Sequence, residues 1–402
     1  MLVALTLAAA LATASQPSPP LTLAQAVAQA RAASPLRGPA QRLAEGSAEA
    51  ARLAGQWLNP LIDVRVENLS RQSLPHDVFA VLSQPLEFGG KRGLRQGVAT
   101  ADVNLAGANL QTVDRQVTLR TVQLYVQALR ARGVSETLAA HRDGLATLID
   151  IMRRRVGEGY AAESDLLRFE AESARMDIDI ARAGLELGRS LGALTFVIGA
   201  AAPIVSEQLV EPQLLAAPEL AAAAVAGAIT RHPEVIAADT RLARAQQLAA
   251  LERARRHPDP VVSAGYKRTN GFDTAVAGVT LTLPLFDHNS SAAARAVGEE
   301  LAAQAERDAV TRRLESEATI LIATAQALSL RAARSERELL TPADGVRNAA
   351  RAAFREGTAD VLKLIDAERV YGDVQRVAIE LRLEALAATL EARLAVGLEI
   401  LP

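Results

Sequence analysis

The chain has 402 residues, of which 50% are hydrophobic but only 3% are aromatic. Its apolar residues are mostly Ala, Leu and Val, which favours long, closely packed helices over a core of large aromatic side chains. Its 44 basic and 46 acidic residues give a net charge of -2, which argues against a nucleic-acid partner. Because the chain contains no cysteine, disulfides, thiol catalysis and a lipid-bearing N-terminal cysteine are excluded.

The N-terminus has the pattern of a secretory signal peptide. Residues 2–14 are an apolar run that ends in the small-residue cleavage pattern Ala12-Thr13-Ala14, so we predict a signal peptide at residues 1–14. A buried N-terminal helix is the alternative. Elsewhere no apolar run reaches the roughly 18 residues of a spanning helix. If this chain crosses a membrane, strands must do it.

Four short segments occur twice, in the same order and at offsets of 198 to 200 residues. They are Ser34-Pro35 and His232-Pro233, Asn59-Pro60 and Asp259-Pro260, Pro85-Leu86 and Pro284-Leu285, and Glu158-Gly159 and Glu356-Gly357. Repeats at a fixed spacing indicate that one structural unit is written more than once. We predict a tandem duplication, with a first repeat at residues 15–210 and a second at 211–402.

Each repeat follows the same plan of elements. A first helix is followed by a pair of short strands, a very long helix, a glycine turn and a last helix. The predicted helices are 22–57, 90–155 and 162–194 in the first repeat, and 219–256, 291–355 and 359–398 in the second.

The strand segments alternate between apolar and polar residues, which is the two-residue period of a β-strand. In residues 61–68, Ile62 and Val64 alternate with Asp63 and Arg65. The other predicted strands are 78–86, 261–267 and 275–283. A soluble hairpin has the same pattern. Four strands cannot close a membrane barrel, which needs about eight, so membrane strands would have to be pooled from several chains.

The long helices carry two apolar stripes each. In the first repeat one stripe contains Val117, Leu124 and Ala131, and the other contains Val122, Val126 and Leu129. A helix with two apolar stripes packs against neighbours on both sides. The wall of a helical tube requires this arrangement, and a plain helical bundle also fits it.

Two motifs lie where a predicted strand passes into a long helix: residues 82–92 (LSQPLEFGGKR) and 283–289 (LPLFDHN). With the duplicated plan, they resemble the TolC-type outer-membrane efflux proteins, and within that family the CzcC-type branch that serves heavy-metal cation efflux. Gly357 and residues 364–369 (LIDAER) resemble the family's helix start after the periplasmic turn. The resemblance covers residues 21–398.

This resemblance implies a mainly α fold with a small β part. Three chains would form one duct, in which four strands per protomer build an outer-membrane β-barrel that continues as a long α-helical barrel into the periplasm. The implied partners of this homotrimer are outer-membrane lipid, a periplasmic adaptor (membrane fusion) protein and an inner-membrane resistance-nodulation-division (RND) pump. The implied location is the outer membrane of a Gram-negative bacterium, and no cofactor is implied.

Charged residues lie six and nine positions after each turn glycine. They are Asp165 and Arg168 after Gly159, and Lys363 and Asp366 after Gly357. In the resembled family, acidic residues at the second-repeat positions ring the closed periplasmic aperture. Since Lys363 occupies one of these positions, we predict a mixed-charge lock, in which the four residues pair between neighbouring helices and hold the tip shut. The alternative is a set of solvated charges worth about 0–1 kcal/mol per pair.

The turns are also the predicted contacts of the adaptor, through Glu158, Gly159, Glu356 and Gly357. This role is implied by the resemblance, and a tight turn alone explains the glycines. Trp57, just before the first strand, is either a membrane-interface anchor or a residue packed at the joint.

No catalytic or metal-binding motif is found. The five histidines include no pair at i, i+4 spacing and no associated carboxylate cluster, so we predict no metal site. A phosphate-binding glycine loop, a G-x-S-x-G nucleophile elbow and an H-E-x-x-H motif are all missing. We therefore predict that the chain is not an enzyme.

The sequence predicts a trimeric exit duct of a tripartite efflux system that exports divalent heavy-metal cations. A duct for drugs or for type I protein secretion is the first alternative. A periplasmic adaptor or a soluble coiled-coil scaffold is the alternative from another class. The duplication argues against an adaptor, because an adaptor has a single helical hairpin.

Overall fold

The structure, a computed structural model, describes residues 19–69, 76–213, 215–358 and 360–398. The predicted signal peptide at residues 1–14 lies outside the described residues. In chain order the elements are α1 (Leu23–Ala33), α2 (Gly38–Leu53), β1 (Leu61–Glu67), β2 (Asp77–Pro85), α3 (Lys91–Gly157), α4 (Glu163–Ile198), α5 (Ala222–Ile229), α6 (Pro233–Ala254), β3 (Pro260–Thr269), β4 (Phe272–Leu281), α7 (Ser290–Ser335), α8 (Thr341–Arg355) and α9 (Val361–Ala395). The predicted mainly α fold with a small β part is confirmed.

The prediction of one long first helix in each repeat, at 22–57 and 219–256, is wrong. Each is two helices, separated just before Pro35 and Pro233. The preceding residues, Ser34 and His232, have ψ of 127° and 134°, because a proline ring disfavours the helical conformation of the residue before it. The break therefore occurs at the same place in both repeats.

The longest helix is continuous in the first repeat and interrupted in the second. The predicted helix 291–355 consists of α7, one π turn (Glu336–Leu340) and α8. Pro342 has no N–H to donate and its ring crowds the preceding turn. The backbone N–H and the hydroxyl of Thr341 both donate to the carbonyl of Glu336. This wider turn allows the helix to continue past Pro342. The matching residue of the first repeat is Gly144.

The four strands form one antiparallel sheet in the order β1-β2-β3-β4. Each repeat contributes one hairpin, and the two hairpins join through β2 and β3. The register brings Leu61, Pro85, Pro260 and Leu281 to the same end. We call this end, where the strands connect to the helices, the sheet root.

One face of the sheet is apolar across all four strands. Residues paired across antiparallel strands point to the same face, and two adjacent rows of this face are Ile62, Leu82, Ala264 and Ala277, then Val64, Ala80, Tyr266 and Ala275. The polar residues of the opposite face include Asp63, Arg65, Ser83, Ser263, Lys267, Thr274 and Thr280. The alternation predicted from residues 61–68 and 275–283 is confirmed. In the two middle strands it is less regular, because Phe79 and Val81 lie on the polar face and Arg268 lies on the apolar face.

The chain folds into two compact units, and both repeats contribute to each of them. The sheet unit comprises Gly38–Val113 and Thr230–Arg313, and the helical unit comprises the described residues up to Arg37, Asp114–Ile229 and those from Leu314 onward. Among the described helices, none is both long enough and apolar enough to span a membrane. The repeat boundaries at 15–210 and 211–402 stay a prediction.

Within the sheet unit, basic residues of the first turns of α3 hold the sheet root together. Lys91 forms an ion pair with Asp259 at 2.8 Å, and Arg95 pairs with Glu87 at 2.6 Å. Arg92 donates to the carbonyl of Gly55 at 2.6 Å, just beyond the end of α2. The last carbonyls of a helix receive no hydrogen bond from within the helix, and a basic side chain can donate one to them.

Within the helical unit, Tyr125 fixes the connection between the repeats. Its hydroxyl lies 2.6 Å from the carbonyl oxygens of Leu21 and Val210, and it accepts a bond from the N–H of Val210 at 2.9 Å. Burial raises the pKa of Tyr125 to about 12, so the hydroxyl remains a donor at physiological pH. The start of the first repeat and the linker to the second are thereby held at one point.

Candidate functional site at the helix tips

The two predicted tips are turns of the same form. Gly159 and Gly357 have φ of 79° and 75°, a left-handed conformation that glycine adopts without steric cost. The following residues, Tyr160 and Thr358, each donate their backbone N–H to the carbonyl five residues earlier, at 2.8 and 2.9 Å. This is the hydrogen-bond pattern that ends a helix at a glycine. Both turns are exposed to solvent, including the predicted adaptor contacts Glu158 and Glu356.

Beneath the turns, the two helical hairpins share one hydrophobic core. It contains residues of α3, α4, α8 and α9: Leu145, Ile149, Met152, Phe169, Met176, Phe354, Val361, Leu364 and Ile365. Phe169 and Leu364 are fully buried. The guanidinium of Arg155 covers the ring of Phe354 at 5.0 Å, a cation–π contact that shields this edge of the core. The core determines where the charged residues around it are held.

One ion pair occurs in both repeats at matching positions. Arg153 on α3 contacts Glu170 on α4 at 2.9 Å, and 198 residues later Arg351 on α8 contacts Glu368 on α9, with a second bond at 2.9 Å. The first pair is exposed, whereas the carboxylate of Glu368 is buried. A buried carboxylate needs its cation more than an exposed one does, because water no longer solvates it.

A second buried carboxylate joins the two hairpins. Glu172 on α4 receives two bonds from Arg369 on α9, at 2.5 and 3.2 Å, and only 9% of its side chain is exposed. The hydrogen bond with Glu172 raises the pKa of Arg369 above its ordinary value. Arg175 approaches the same carboxylate at 3.5 Å. The residues that match Glu172 and Arg369 in the opposite repeats are Val370 and Ala171.

The repeat pattern does not predict this link, because neither Glu172 nor Arg369 has a charged counterpart in the other repeat. Glu172 and Arg369 border a cavity of about 410 Å³ between α3, α4 and α9, whose rim alternates in charge. Its other charged residues are Arg175, Asp179, Arg182, Asp373 and Arg376. One signal could have revealed the link. Glu172 and Arg369 are opposite charges on the inward faces of two helices, and neither belongs to the repeat pattern.

The four predicted gate residues lie around this core but are not joined to each other. Arg168, Lys363 and Asp366 are exposed, and Asp165 is half-buried. In the part of the chain that the structure describes, no ion pair connects two of the four. Asp366 acts on Arg369, whose pKa it helps to raise. Within one chain these groups are therefore available to a neighbouring molecule, and their predicted pairing stays a prediction.

The histidines have separate surroundings. His141 bonds to Gln375 at 2.7 Å, and His232 accepts the N–H of Glu234 at the start of α6. Among the residues described, no three His, Cys, Asp or Glu side chains come together as a metal site.

Comparison with known proteins adds two kinds of relatives, although no family model matches the chain. The cobalt-zinc-cadmium resistance protein CzcC of Cupriavidus metallidurans is 29% identical over 318 residues, covering 77% of this chain and 74% of CzcC. The nickel and cobalt resistance protein CnrC of the same organism is 30% identical over 290 residues, covering 69% and 66%.

The solved structure of the outer membrane protein VceC from Vibrio cholerae has the same fold. It matches 94% of this chain and 96% of its own with a TM-score of 0.79, at 18% identity. The chain therefore has the fold of a solved outer-membrane channel protein. The chain belongs to the TolC-type outer-membrane efflux family, and CzcC-type metal-resistance proteins are its homologues. The predicted family and outer-membrane location are confirmed.

Proposed function

We propose that three copies of this chain form the exit duct of a tripartite efflux system for divalent heavy-metal cations. The duct works with a periplasmic adaptor and an inner-membrane RND pump and catalyses no reaction itself. The observation that carries this proposal is the homology to two metal-resistance proteins over more than two thirds of the chain, on a channel fold.

The sheet supports the trimer. β1 and β4 are its two edge strands, and an edge strand in lipid leaves backbone groups without partners. If β1 of each copy pairs with β4 of the next, three copies close a barrel without edges. The apolar face then meets lipid, and the face with Asp63, Arg65 and Lys267 lines the lumen.

Cysteine cross-linking tests this closure, because the natural chain contains no cysteine. Ile62 and Ala277 lie in one row but three strand spacings apart, or about 14 Å, too far for a disulfide within one chain. Ile62→Cys combined with Ala275→Cys, Ala277→Cys or Val279→Cys should give oxidised dimers and trimers for at least one pair. The single variants are the controls, and monomers for every pair would contradict the trimer.

The cargo is tested by deleting the gene and measuring growth in cobalt, zinc, cadmium and nickel salts. Tolerance should fall for one or more of these metals and return when the gene is restored on a plasmid. Unrelated dyes and antibiotics serve as controls. Loss of drug tolerance with normal metal tolerance would instead support the alternative duct for drugs.

The gate is tested by single-channel conductance. Asp165, Arg168, Lys363 and Asp366 are exposed or half-buried charges that a neighbouring chain can pair with, so removing one should loosen the closed tip. Asp366→Ala should raise conductance in an intact trimer. Asp373→Ala, which removes another exposed carboxylate from α9, is the matched control. Equal conductance of both variants and the natural protein would eliminate the lock.

Adaptor contact at the tips is tested by photo-cross-linking in cells. A photoreactive residue at Glu158 or Glu356, beside Gly159 and Gly357, should capture the adaptor. The control position is Glu338, which is equally exposed but lies on the π turn. Capture from Glu338 alone would place the adaptor elsewhere on the chain.

A further inference from the structure

A second cavity of the helical unit lies near the turns, between α3 and the α8–α9 hairpin. It has a volume of about 290 Å³. Its lining combines apolar side chains with three arginines: Gly144, Thr147, Leu148, Ile151, Arg155, Arg351, Phe354, Arg355 and Leu364. Among the described residues that line it, none is acidic. The cavity therefore presents charge of one sign on apolar walls, which we call the arginine cavity.

The charge of the arginine cavity differs from that of the cavity beside Glu172. There the arginines alternate with carboxylates, so a ligand meets both signs. In the arginine cavity, Arg351 is neutralised by Glu368, which receives two of its N–H bonds. In the ranges that the structure describes, neither Arg155 nor Arg355 forms an ion pair. Two guanidiniums therefore lack a counter-ion from the described chain.

The surroundings of Arg155 make a counter-ion favourable. Its side chain is half-buried, and its guanidinium lies 5.0 Å from the centroid of the Phe354 ring. Partial burial removes water that would solvate the charge, and an anion that accepts its N–H bonds offsets this loss. Arg355 follows Phe354 directly in the sequence and is exposed, so its side chain can turn towards the same anion.

The apolar walls determine the rest of the ligand. Phe354 and Leu364 are buried, and Leu148 packs against the same core. Small-molecule sites are mostly apolar clefts of about 300 to 1,000 Å³ with a few polar groups that orient the ligand. The arginine cavity is at the small end of this range and suits a short chain or a pair of fused rings. Its guanidiniums repel metal cations, so the cargo of the duct is not its ligand.

We propose that the arginine cavity binds a small organic carboxylate, whose charged group contacts Arg155 and Arg355 and whose apolar body lies against Phe354 and Leu148. A planar carboxylate can accept two parallel N–H bonds from one guanidinium. Because Arg155 belongs to α3 and Arg355 to α8, the bound anion links the two hairpins beside their shared core. This inference goes beyond the proposed duct, since every lining residue belongs to one chain and the cargo plays no part.

Calorimetric titration with 2-naphthoate, an aryl carboxylate, tests the proposal on the full-length protein in detergent. The natural protein should bind the probe saturably, with detergent alone as the blank. Arg155→Met and Arg355→Met should each weaken binding about ten-fold, as expected when one charge-assisted hydrogen bond is lost. Arg154→Met, which changes the neighbouring exposed residue outside the cavity, is the matched control and should bind as the natural protein does.

Two further probes separate the head of the ligand from its body. Acetate keeps the carboxylate without the apolar body, and 2-naphthylmethylammonium keeps the body with the opposite charge. Both should bind at least ten-fold more weakly than 2-naphthoate. Gly144→Leu keeps all three arginines but fills the cavity, and it should abolish binding. An added Cβ at Gly144 meets only the end of the Arg351 side chain, at 3.9 Å, so the helix accommodates this change.

Hydrogen exchange with and without 2-naphthoate locates the bound probe. The amides around Arg155 and Arg355 should exchange more slowly when the probe is present, and those of the sheet should not change. No saturable binding to the natural protein, or equal binding by the Arg155→Met and Arg355→Met variants, would overturn the proposal. Equal affinity for acetate would show binding to surface guanidiniums only, and protection elsewhere in the chain would remove the arginine cavity as the site.

Discussion

The α3–α4 and α8–α9 hairpins end in turns with the same glycine conformation and the same hydrogen bonds, yet their interiors differ. Glu368 is buried with Arg351 in the second hairpin, whereas Glu170 and Arg153 form the same pair in water in the first. Leu364 is fully buried, and the matching Leu166 is only partly covered. The backbone of a duplicated unit has thus been kept, while its side chains have become adapted to two different environments.

The largest expected difference between the hairpins comes from these matched leucines. Leu364→Ala should lower the free energy of unfolding by about 3 to 4 kcal/mol, because it removes a fully buried side chain and leaves a cavity. Leu166→Ala should cost only about 1 kcal/mol, because its site is partly solvated and can collapse. Hydrogen exchange of the tip amides in the detergent-solubilised protein measures the loss of free energy of unfolding in both variants. Equal losses would mean that the two hairpins are packed alike.

The repeated ion pair should give the next largest difference. Arg351→Ala leaves the buried carboxylate of Glu368 without its cation and should cost about 2 to 3 kcal/mol. Arg153→Ala removes the exposed partner of Glu170 and should cost less than about 1 kcal/mol. Thermal unfolding of both variants at two salt concentrations gives the comparison. A larger loss for Arg153→Ala would reverse the assignment of the buried and exposed pairs.

The link between the hairpins should have an intermediate effect. Arg369→Met keeps the length of the side chain but removes its charge from Glu172, which retains only Arg175 at 3.5 Å. We expect a loss of about 1 to 2 kcal/mol, less than for a fully orphaned carboxylate, and faster hydrogen exchange at the start of α9. Arg376→Met, on the same helix and paired with Asp373 at 3.8 Å, is the control and should have little effect.

The smallest effect, and the one expected to be equal in both hairpins, belongs to the turn glycines. An added Cβ at Gly159 or Gly357 meets no atom within 4 Å, so the cost of Gly→Ala is that of a left-handed backbone, about 1 kcal/mol. Gly159→Ala and Gly357→Ala should therefore lower the thermal stability by the same amount. A clear difference between them would mean that one turn is held by contacts outside the chain.

Much of the fold was predictable because its signals are local. Alternation predicted the strands, apolar stripes predicted the long helices, and the positions of Gly159 and Gly357 predicted the turns. Pro35 and Pro233, at the two helix breaks, are also local signals, because a proline disfavours the helical conformation of the residue before it. The π turn before Pro342 could not be located in this way, since a proline in a long apolar pattern either ends a helix or is accommodated by it.

The candidate site was predicted less completely. Counting from the turn glycines located the exposed charges, such as Lys363 and Asp366, because a position in a turn and the next helix follows from the sequence. It did not locate Glu172 and Arg369, which come together only when α4 packs against α9. Their contact depends on the rotation of two helices about their axes, and this rotation is decided by the shared core.

The sequence by itself determined the order of elements, their duplication and the apolar face of the sheet, because each of these depends on residues that are close along the chain. Only the tertiary structure decided that both repeats contribute to each compact unit. It also decided that Glu170 is open to water whereas the matching Glu368 is buried in a core. The physical reason is that burial depends on which distant segments cover a residue, and two copies of one sequence pattern are covered differently once they pack against each other.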